Sequence, residues 1–371
     1  MEVLRGALVG YGFIGERGHA PQYRSPDSGV TLEAIADVTP ARLALARAAF
    51  PNARVYARWQ DLLERERDLD FVDVAVPPVD HAPVSLAALA RGLHVLCEKP
   101  LAWSLPQARE MLAAARTAQR VLFPCHNYRH APVVREVGAV LAEGKLGTVG
   151  SLTLDTFRNT HAKGVTEWSP HWRRDRAISG GGIAMDHGSH TLYLTFDWLG
   201  SHPTSVSARI FNSQPSRFDT EDSVAAVFTF PNGLAHCRLS WTAGMRKVVY
   251  TVQGSRGGLI VNDDELELDL QRETSGPDVA QGAVRWETEK RAIASDWMDA
   301  GHPGWFAGVF AGFRRAIAEG RFVSRDTLES YRCLEAIDGI YRSAAQGGRE
   351  VALTGAPGGG SREALQKAEL P

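Results

Sequence analysis

The amino-acid sequence predicts an α/β protein in which a doubly wound parallel sheet precedes a second α/β domain with a mainly antiparallel sheet. Strand and helix patterns alternate up to about residue 125, which is typical of βαβ units. Residues 71–76 form an almost wholly apolar strand, as expected where helices cover both faces of a sheet. Beyond residue 125, strand patterns follow one another. The turn at residues 231–233 (Pro-Asn-Gly) predicts that its flanking strands pair antiparallel.

Apolar runs and helical spacing define the elements of the first domain, predicted to span residues 1–125. In residues 40–50, Leu43, Ala46 and Phe50 fall on one face of a helix. A second helix ends at Gly92, a natural C-cap. The predicted strands cover residues 5–10, 31–37, 71–76, 94–97 and 121–125, and the predicted helices cover residues 40–50, 81–91 and 106–117.

The second domain is predicted over residues 126–353, and residues 354–371 read as a flexible tail rich in glycine. In residues 234–241 apolar and polar side chains alternate, which predicts a sheet with one half-polar face. Asp326 and Glu329 form a predicted capping box for the last helix. The other predicted elements are helices over residues 132–143 and 304–319 and strands over residues 149–157, 204–211, 223–230, 248–253, 259–261 and 266–270.

Composition excludes several classes of protein. The chain has 371 residues, and its 41 basic and 43 acidic residues give a formal charge of −2, so it lacks the basic excess needed to bind nucleic acid. Its four cysteines contain no C-x-x-C pair, which argues against a zinc ribbon or a redox dithiol. We find no signal-peptide pattern and no apolar run long enough to span a bilayer. We therefore expect a cytoplasmic protein that does not bind membranes.

Residues 10–15 read Gly10-Tyr11-Gly12-Phe13-Ile14-Gly15 between a strand and a helix, and the second strand ends in Asp37. This is the context of a dinucleotide site, in which the glycines admit a diphosphate and the acid binds a ribose. Asp37 would repel a 2′-phosphate, so the sequence favours NAD. Arg42 lies close by in sequence and leaves NADP open. The alternative interpretation is a simple glycine turn with a surface aspartate.

Histidines concentrate in the middle of the chain, where seven of the twelve lie between His126 and His202. If the segment after Gly180-Gly181-Gly182 is helical, Asp186 and His190 are four residues apart on one face. A carboxylate beside an imidazole makes a competent general base. His187, Asp186 and His190 could instead suggest a metal site, but spacing fixes no third ligand beside the pair, and we predict no metal.

These features, in this order, resemble the glucose–fructose oxidoreductase / inositol dehydrogenase / MocA (Gfo/Idh/MocA) family. The resemblance covers roughly residues 6–353. Its marks are the glycine turn, residues 76–81 (Val-Pro-Pro-Val-Asp-His), residues 92–102 with Glu98-Lys99-Pro100 at their centre, Trp172-Arg173, residues 180–190, and residues 254–258 (Gly-Ser-Arg-Gly-Gly). The resemblance implies a Rossmann domain, then a domain whose open antiparallel sheet forms a homodimer or homotetramer. It also implies NAD(P)-dependent oxidation or reduction of sugars, polyols and related molecules.

The resemblance assigns roles to individual residues. Lys99 corresponds to the catalytic lysine, and Asp186 and His190 to the catalytic D-x-x-x-H pair. The residues alone agree in part, because Lys99 ends a parallel strand, where ligands bind in open α/β sheets; a Glu98–Lys99 surface ion pair is the alternative. The predicted cofactor-binding residues are Gly10, Gly12, Phe13, Ile14, Gly15, Asp37, Pro77, His81, Glu98 and Lys99.

One departure from the family concerns the substrate. The family commonly has an aspartate three residues past the histidine, where this chain has Tyr193, so we expect a different hydroxyl-binding pattern. The predicted substrate-binding residues are Asn127, Trp172, Arg173 and Tyr193. A further hypothesis is that an arginine among Arg158, Arg173, Arg174 and Arg176 holds a carboxylate or phosphate of the substrate.

The sequence thus predicts an NAD(P)-dependent oxidoreductase. It would move a hydride between nicotinamide and a secondary alcohol or ketone of a sugar-, polyol- or cyclitol-like substrate. His190, oriented by Asp186, would remove or return the hydroxyl proton, and Lys99 would stabilise the oxyanion or relay the proton. The sequence leaves open which of the two is the immediate base. One alternative is an NAD-dependent glycoside hydrolase or lyase that works by transient oxidation and elimination. A non-catalytic NAD sensor is the third hypothesis.

Overall fold

The computed structural model describes residues 3–273, 284–297 and 299–353. Its first sheet has six parallel strands in the order β3-β2-β1-β4-β5-β6, which is the doubly wound order of dinucleotide-binding folds. The strands are β1 (Leu4–Val9), β2 (Val30–Ala36), β3 (Arg54–Tyr56), β4 (Phe71–Val74), β5 (His94–Cys97) and β6 (Leu122–Pro124), and the helices are α1 (Ala20–Arg24), α2 (Pro40–Ala49), α3 (Trp59–Arg65), α4 (Pro78–Ala90) and α5 (Leu105–Ala118). The predicted parallel sheet is confirmed.

The second sheet has nine strands in the order β14-β13-β12-β11-β7-β10-β9-β8-β15. Its pairs are antiparallel except for β7 and β10, which run parallel. The strands are β7 (Val149–Phe157), β8 (Ser205–Phe211), β9 (Ser223–Phe230), β10 (Gly233–Ser240), β11 (Lys247–Gly254), β12 (Gly257–Asn262), β13 (Glu265–Glu273), β14 (Val284–Ala292) and β15 (Val351–Ala352), and the helices are α6 (Pro132–Ala142), α7 (Arg176–Ser179), α8 (Ile183–Leu199), α9 (Pro303–Ala318) and α10 (Arg325–Ala345). The mainly antiparallel sheet is confirmed.

Two helices of the later chain connect the sheets. Phe306, Phe310 and Phe313 of α9 pack in one apolar cluster with Phe71 and Leu96 of the parallel sheet, and residue 323, just before α10, bridges to β6. By packing, α9 therefore belongs to the first sheet, although it follows the predicted boundary in sequence. The division at residue 125 stays a prediction, and the predicted tail, residues 354–371, lies outside the described residues.

Five elements were not predicted, namely β3, α3, α7, β14 and β15, and one cap differs. Ser324 is the N-cap of the last helix, and its Oγ accepts the backbone N–H of Thr327 at 3.3 Å. The predicted capping box is wrong, because Asp326 and Glu329 bind the guanidinium of Arg129 instead. No helix in the described ranges has the length and apolarity needed to cross a membrane.

Candidate active site

The glycine turn after β1 has the geometry of a diphosphate cradle. Gly10 has a φ of +97°, and a Cβ there would lie 2.5 Å from the Ala75 carbonyl oxygen. A Cβ on Gly15 would lie 2.2 Å from the Gly10 carbonyl oxygen, so both positions require glycine for the turn to close. A Cβ on Gly12 would meet nothing within 4 Å, which leaves open space where a diphosphate can approach the backbone.

Asp37 lies at the end of β2 beside this turn. Its Oδ2 accepts the backbone N–H of Tyr11 and its Oδ1 that of Thr39, each at 2.8 Å, so the carboxylate is fixed with lone pairs remaining for a ribose. Arg42 is already bound elsewhere. Its Nε donates to the Tyr11 carbonyl at 2.8 Å and its Nη2 to Glu16.

A groove of about 290 Å³ runs from Asp37 past the turn to Pro77. We call it the nucleotide groove. Phe13 and Ile14 line one part of it, and Gly164, Val165, Trp168 and Trp172 line another. His81 does not line this groove: it is buried, and its ring nitrogens face the carbonyl oxygens of Pro100 at 2.7 Å and Val76 at 2.8 Å. His81 therefore supports the groove wall at Val76, and its contact with the cofactor stays a prediction.

A second cavity of about 410 Å³ opens from the inner end of the groove, and we call it the substrate cavity. The two spaces share five wall residues: Phe13, Ile14, Val76, Trp172 and Arg173. Besides Phe13 and Ile14, seven predicted site residues line the substrate cavity: Glu98, Lys99, Asn127, Trp172, Arg173, Asp186 and His190. A long ligand in the groove would thus reach a smaller ligand in the cavity.

Lys99 and Asp186 form an ion pair in the cavity wall. Lys99 Nζ donates to Asp186 Oδ1 at 3.1 Å and to its backbone carbonyl at 2.7 Å. Arg173 Nε donates to the same Oδ1 at 3.1 Å, and His187 Nδ1 lies 3.1 Å from Oδ2. Burial alone would raise the pKa of Asp186, but Lys99 and Arg173 lower it well below its ordinary range. The carboxylate therefore stays charged and holds the lysine in place.

The predicted pair of Asp186 and His190 does not form. The two share a helix, α8, but Asp186 is taken by Lys99 and Arg173, which come from other segments. His190 Nδ1 instead lies 2.8 Å from the hydroxyl of Tyr193. Tyr193 is fully buried and lies outside the cavity lining, so it holds the histidine rather than the substrate.

Hydrogen-bond counting assigns the protons of this histidine. The Tyr193 hydroxyl accepts the backbone N–H of Tyr128 at 3.1 Å. Within the described structure, His190 Nδ1 is the acceptor that remains for the hydroxyl's own proton. The neutral imidazole then carries its proton on Nε2. Burial and the charge of Lys99 lower the pKa of His190 well below its ordinary value, so the ring is neutral and stacks on Tyr128 at 3.9 Å.

Sequence reasoning missed the network behind Glu98. Its Oε1 lies 3.2 Å from His19 Nε2, and its Oε2 accepts the backbone N–H of Lys99 at 2.9 Å. His19 Nδ1 lies 2.9 Å from Asp73. Burial opposes charge on His19, but Asp73 and Glu98 raise its pKa to about 10. The one signal in the sequence was an acid, Asp73, inside an otherwise apolar parallel strand.

The same network contains the grouping most like a metal site among the described residues. Ligand atoms of His19, Glu98 and Cys125 lie within 4.8 Å of one another. His19 is protonated at neutral pH and donates from both nitrogens, so it has no lone pair for a metal. The arrangement is that of a buried ion network.

Among the cavity residues outside the predicted site set are Arg158, which the substrate hypothesis had named, and Lys163, His187, Arg246 and His302. Arg246 and His302 come from segments far along the chain, and no local spacing connects them to the rest. Arg174 does not line the cavity, because it bonds Asn212 and lies 3.5 Å from Asp222. Arg176 is exposed.

Comparisons with known proteins agree with this geometry. The family model "Oxidoreductase family, NAD-binding Rossmann fold" matches residues 4–126, and the model "GFO/IDH/MocA C-terminal domain" matches residues 134–260. D-apiose dehydrogenase of Paraburkholderia graminis is 36% identical over 93% of this chain and 88% of its own. Levoglucosan dehydrogenase of Pseudarthrobacter phenanthrenivorans is 24% identical over 93% of this chain and 97% of its own.

Solved structures have the same fold. A levoglucosan dehydrogenase in complex with NADH and levoglucosan has a TM-score of 0.79 at 23% identity, covering 95% of this chain and 100% of the other. GenD2 from gentamicin A biosynthesis, in complex with NAD, has a TM-score of 0.78 at 26% identity, covering 96% of this chain and 97% of the other. The glycine turn, Asp37 and the open space at Gly12 fit an NAD-binding domain.

Proposed function

The chain belongs to the Gfo/Idh/MocA family of NAD-binding oxidoreductases, and on that premise we propose that it interconverts a secondary alcohol and a ketone on a sugar, polyol or cyclitol. One observation carries the proposal. Lys99 and His190 line the same cavity, and that cavity opens into the nucleotide groove through Phe13, Ile14 and Val76. The side chains that can donate or accept a proton therefore lie beside the groove that can hold a dinucleotide.

The substrate oxygen lies between two donors in this proposal. A nicotinamide ring bound at the inner end of the groove would supply the acceptor or donor of the hydride. Asp186 accepts two protons of the Lys99 ammonium, which leaves a third for the substrate oxygen. His190 offers Nε2–H to the same oxygen. When a ketone is reduced, Lys99 gives its proton to the oxygen, and when an alcohol is oxidised, Lys99 as the neutral amine takes it back.

We propose NAD as the cofactor rather than NADP. The Asp37 carboxylate would repel a 2′-phosphate, and Arg42 already binds Tyr11 and Glu16. Glycoside cleavage through transient oxidation would use the same side chains, and nothing in the described cavity favours it over simple oxidoreduction.

The test is a spectrophotometric NADH screen over sugars, polyols and cyclitols, followed by two variants with the best substrate. We expect Lys99→Met and His190→Ala each to lower turnover about 100-fold or more while NADH binding, followed by fluorescence, persists. Lys145→Met is the matched control, because Lys145 lies on an exposed turn. Near-normal turnover in both cavity variants would refute the assignment.

Two further proposals concern the oligomeric state of the protein and its location in the cell. We propose a homodimer or homotetramer formed through the nine-stranded sheet, since Phe211, Leu234 and Ile260 leave apolar side chains exposed on three of its strands. Sedimentation of the wild type and of Ile260→Lys tests this. We also propose the cytoplasm, because the four cysteines are free and buried.

A further inference from the structure

A histidine of the substrate cavity, His302, takes no part in the proton transfer proposed above. It lies just before α9 and lines the same cavity as Lys99 and His190. Its backbone has a φ of +44°, in the left-handed region that residues with a side chain seldom adopt. Such conformations concentrate at functional sites and persist where the surrounding structure holds them. His302 is therefore a candidate for contact with the substrate.

Neighbouring groups hold the ring of His302 in one orientation. It stacks on Trp305, with 3.7 Å between the ring centroids and 2° between the planes, and Tyr128 lies 5.8 Å away with its ring nearly perpendicular. Trp305 is itself fixed, because its indole N–H donates to the Ser295 carbonyl at 3.0 Å. The backbone N–H of His302 donates to the Asp299 carbonyl at 3.2 Å. The position of the imidazole is therefore set before any ligand binds.

Hydrogen bonding fixes which ring nitrogen of His302 carries the proton. Nδ1 lies 3.2 Å from the backbone carbonyl oxygen of Asp296. A carbonyl oxygen only accepts hydrogen bonds, so Nδ1 carries the hydrogen and donates it. Burial, with the charges of Arg246 and Arg158, lowers the pKa of His302 to about 4. The ring is therefore neutral at pH 7, and its Nε2 is an acceptor.

Nε2 of His302 has no hydrogen-bond partner among the described residues. It is not one of the buried polar atoms that lack a partner, so the atom is accessible. Since His302 lines the cavity, the cavity is the space from which a ligand can reach it. Only 6% of the residue's surface is exposed, so a hydrogen bond to Nε2 would form where water competes little.

His190 and His302 present opposite groups to the cavity. His190 offers Nε2–H, and His302 offers the lone pair of its Nε2. Both rings contact Tyr128, with centroid distances of 3.9 Å and 5.8 Å. A ketone oxygen bound by Lys99 and His190 only accepts hydrogen bonds, so it gives His302 no partner. A second hydroxyl on the same ligand can donate its proton to that acceptor.

We propose that Nε2 of His302 accepts a hydrogen bond from a second hydroxyl of the substrate while the reacting oxygen lies at Lys99 and His190. This inference rests on the proposed function and adds a specificity-determining residue to it. The substrate then carries a donor hydroxyl besides the group that reacts. A compound without that hydroxyl leaves the acceptor in the wall unpaired, and the enzyme selects against it.

The first experiment determines the protonation of the ring directly. Nuclear magnetic resonance of protein containing isotope-labelled histidine distinguishes protonated from unprotonated ring nitrogens, and the spectrum of His302→Asn identifies the signals of His302. We expect a protonated Nδ1 and an unprotonated Nε2 at pH 7, the reverse of His190. A proton on Nε2 of His302 would overturn the proposal.

The second experiment compares matched ligands by calorimetry on the protein with NADH bound. The ligands are D-glucose and myo-inositol, each with its monodeoxy derivatives. For at least one derivative we expect the dissociation constant to be about 10-fold higher than that of its parent, as for loss of one hydrogen bond to a buried acceptor. The ratio of the two constants is the measure of selection.

Two variants separate the acceptor from the rest of the side chain. Asparagine at residue 302 tolerates the left-handed backbone and keeps a donor for the Asp296 carbonyl, but it has no acceptor where Nε2 lies. His302→Asn should therefore bring the ratio close to one, whereas His302→Gln, whose amide oxygen reaches the position of Nε2, should keep most of it. His202→Asn is the matched control, because His202 packs on Phe196 and lines neither cavity nor groove. An unchanged ratio in His302→Asn overturns the proposal, and an equal loss in both variants at residue 302 assigns the effect to the stacked ring and overturns it as well.

Binding separates this proposal from the proposed function. Because the cofactor is already reduced, calorimetry measures affinity for an alcohol whether or not it is turned over. Selective binding that depends on the acceptor at residue 302 supports the role of His302 even if no compound yields NADH, in which case the oxidoreductase proposal fails alone. Turnover with a ratio that His302→Asn leaves unchanged rejects the role of His302 and leaves the proposed function standing. If no ligand of the set binds or is turned over, both proposals are rejected.

Discussion

The hydroxyl of Tyr193 is the atom on which the proton placement of His190 depends, and Tyr193→Phe removes that atom alone. The hydroxyl makes two buried hydrogen bonds, from Tyr128 N–H at 3.1 Å and to His190 Nδ1 at 2.8 Å. The phenylalanine ring keeps the packing but leaves that amide unpaired, which costs about 1–3 kcal/mol of folding stability. The fold should survive this loss, since the surrounding core is extensive.

The functional effect should be distinct from this loss of stability. The bond from Tyr193 favours the neutral ring, because Nδ1 can accept it only when unprotonated, and its loss should raise the pKa of His190. We therefore expect the acid limb of the kcat–pH profile to move to higher pH, and kcat at neutral pH to fall about 10-fold, or 1.4 kcal/mol. NADH affinity should not change.

The assay is the pH dependence of kcat and KM for wild type and variant, with urea unfolding in parallel. Tyr250→Phe is the matched control: Tyr250 is as buried as Tyr193, but its hydroxyl bonds Thr156 rather than a residue that lines the cavity, so the variant should lose stability and keep the pH profile. If Tyr193→Phe loses stability with an unmoved profile and full kcat, then Tyr193 is only structural and the proton assignment for His190 is wrong.

Three further predictions concern the groove and its buried support. The pKa of His19 is raised from 6.5 to about 10, so its contribution to stability is complete below pH 6.5 and disappears as the pH rises through about 10. Between pH 7 and pH 10 the urea midpoint should fall further for wild type than for His19→Gln, and equal falls would contradict the charged assignment. Gly12→Val should weaken NADH binding about 10-fold or more at unchanged melting temperature, whereas Gly15→Ala should destabilise the fold because its Cβ meets backbone; calorimetry and thermal melts separate the two. Asp37→Ala should narrow the preference for NADH over NADPH, measured as the ratio of their dissociation constants, and an unchanged ratio would show that Asp37 does not select the cofactor.

The sequence predicted those parts of the fold that depend on local spacing. The glycine turn and Asp37 lie at the spacing that the dinucleotide-binding motif prescribes. The turn at residues 231–233 connects β9 and β10, which pair antiparallel as predicted. β14 was missed because most of its residues are polar and nearly all of them are exposed. Hydrophobic periodicity, the main signal for a strand, is absent there.

The contacts between side chains in the site were harder to predict, because they depend on which residues the fold brings together and not on spacing along the chain. Asp186 and His190 do lie one helical turn apart, which justified expecting a pair. Lys99 lies 87 positions away in sequence yet contacts Asp186 at 3.1 Å. A full positive charge attracts a buried carboxylate more strongly than a neutral imidazole does. No spacing within α8 could reveal that competitor.

The two residues of the D-x-x-x-H pattern therefore do different jobs in this chain. Asp186, held by Lys99 and Arg173, keeps the lysine in place. His190, whose Nδ1 accepts the Tyr193 hydroxyl, is neutral and carries its proton on Nε2, which can act as a donor. A carboxylate at residue 193 would accept a hydrogen bond from Nδ1–H, and in the neutral ring Nε2 would then be an acceptor instead of a donor. In the proposed function, tyrosine at this position therefore makes the histidine a hydrogen-bond donor to the substrate oxygen and leaves proton transfer to Lys99.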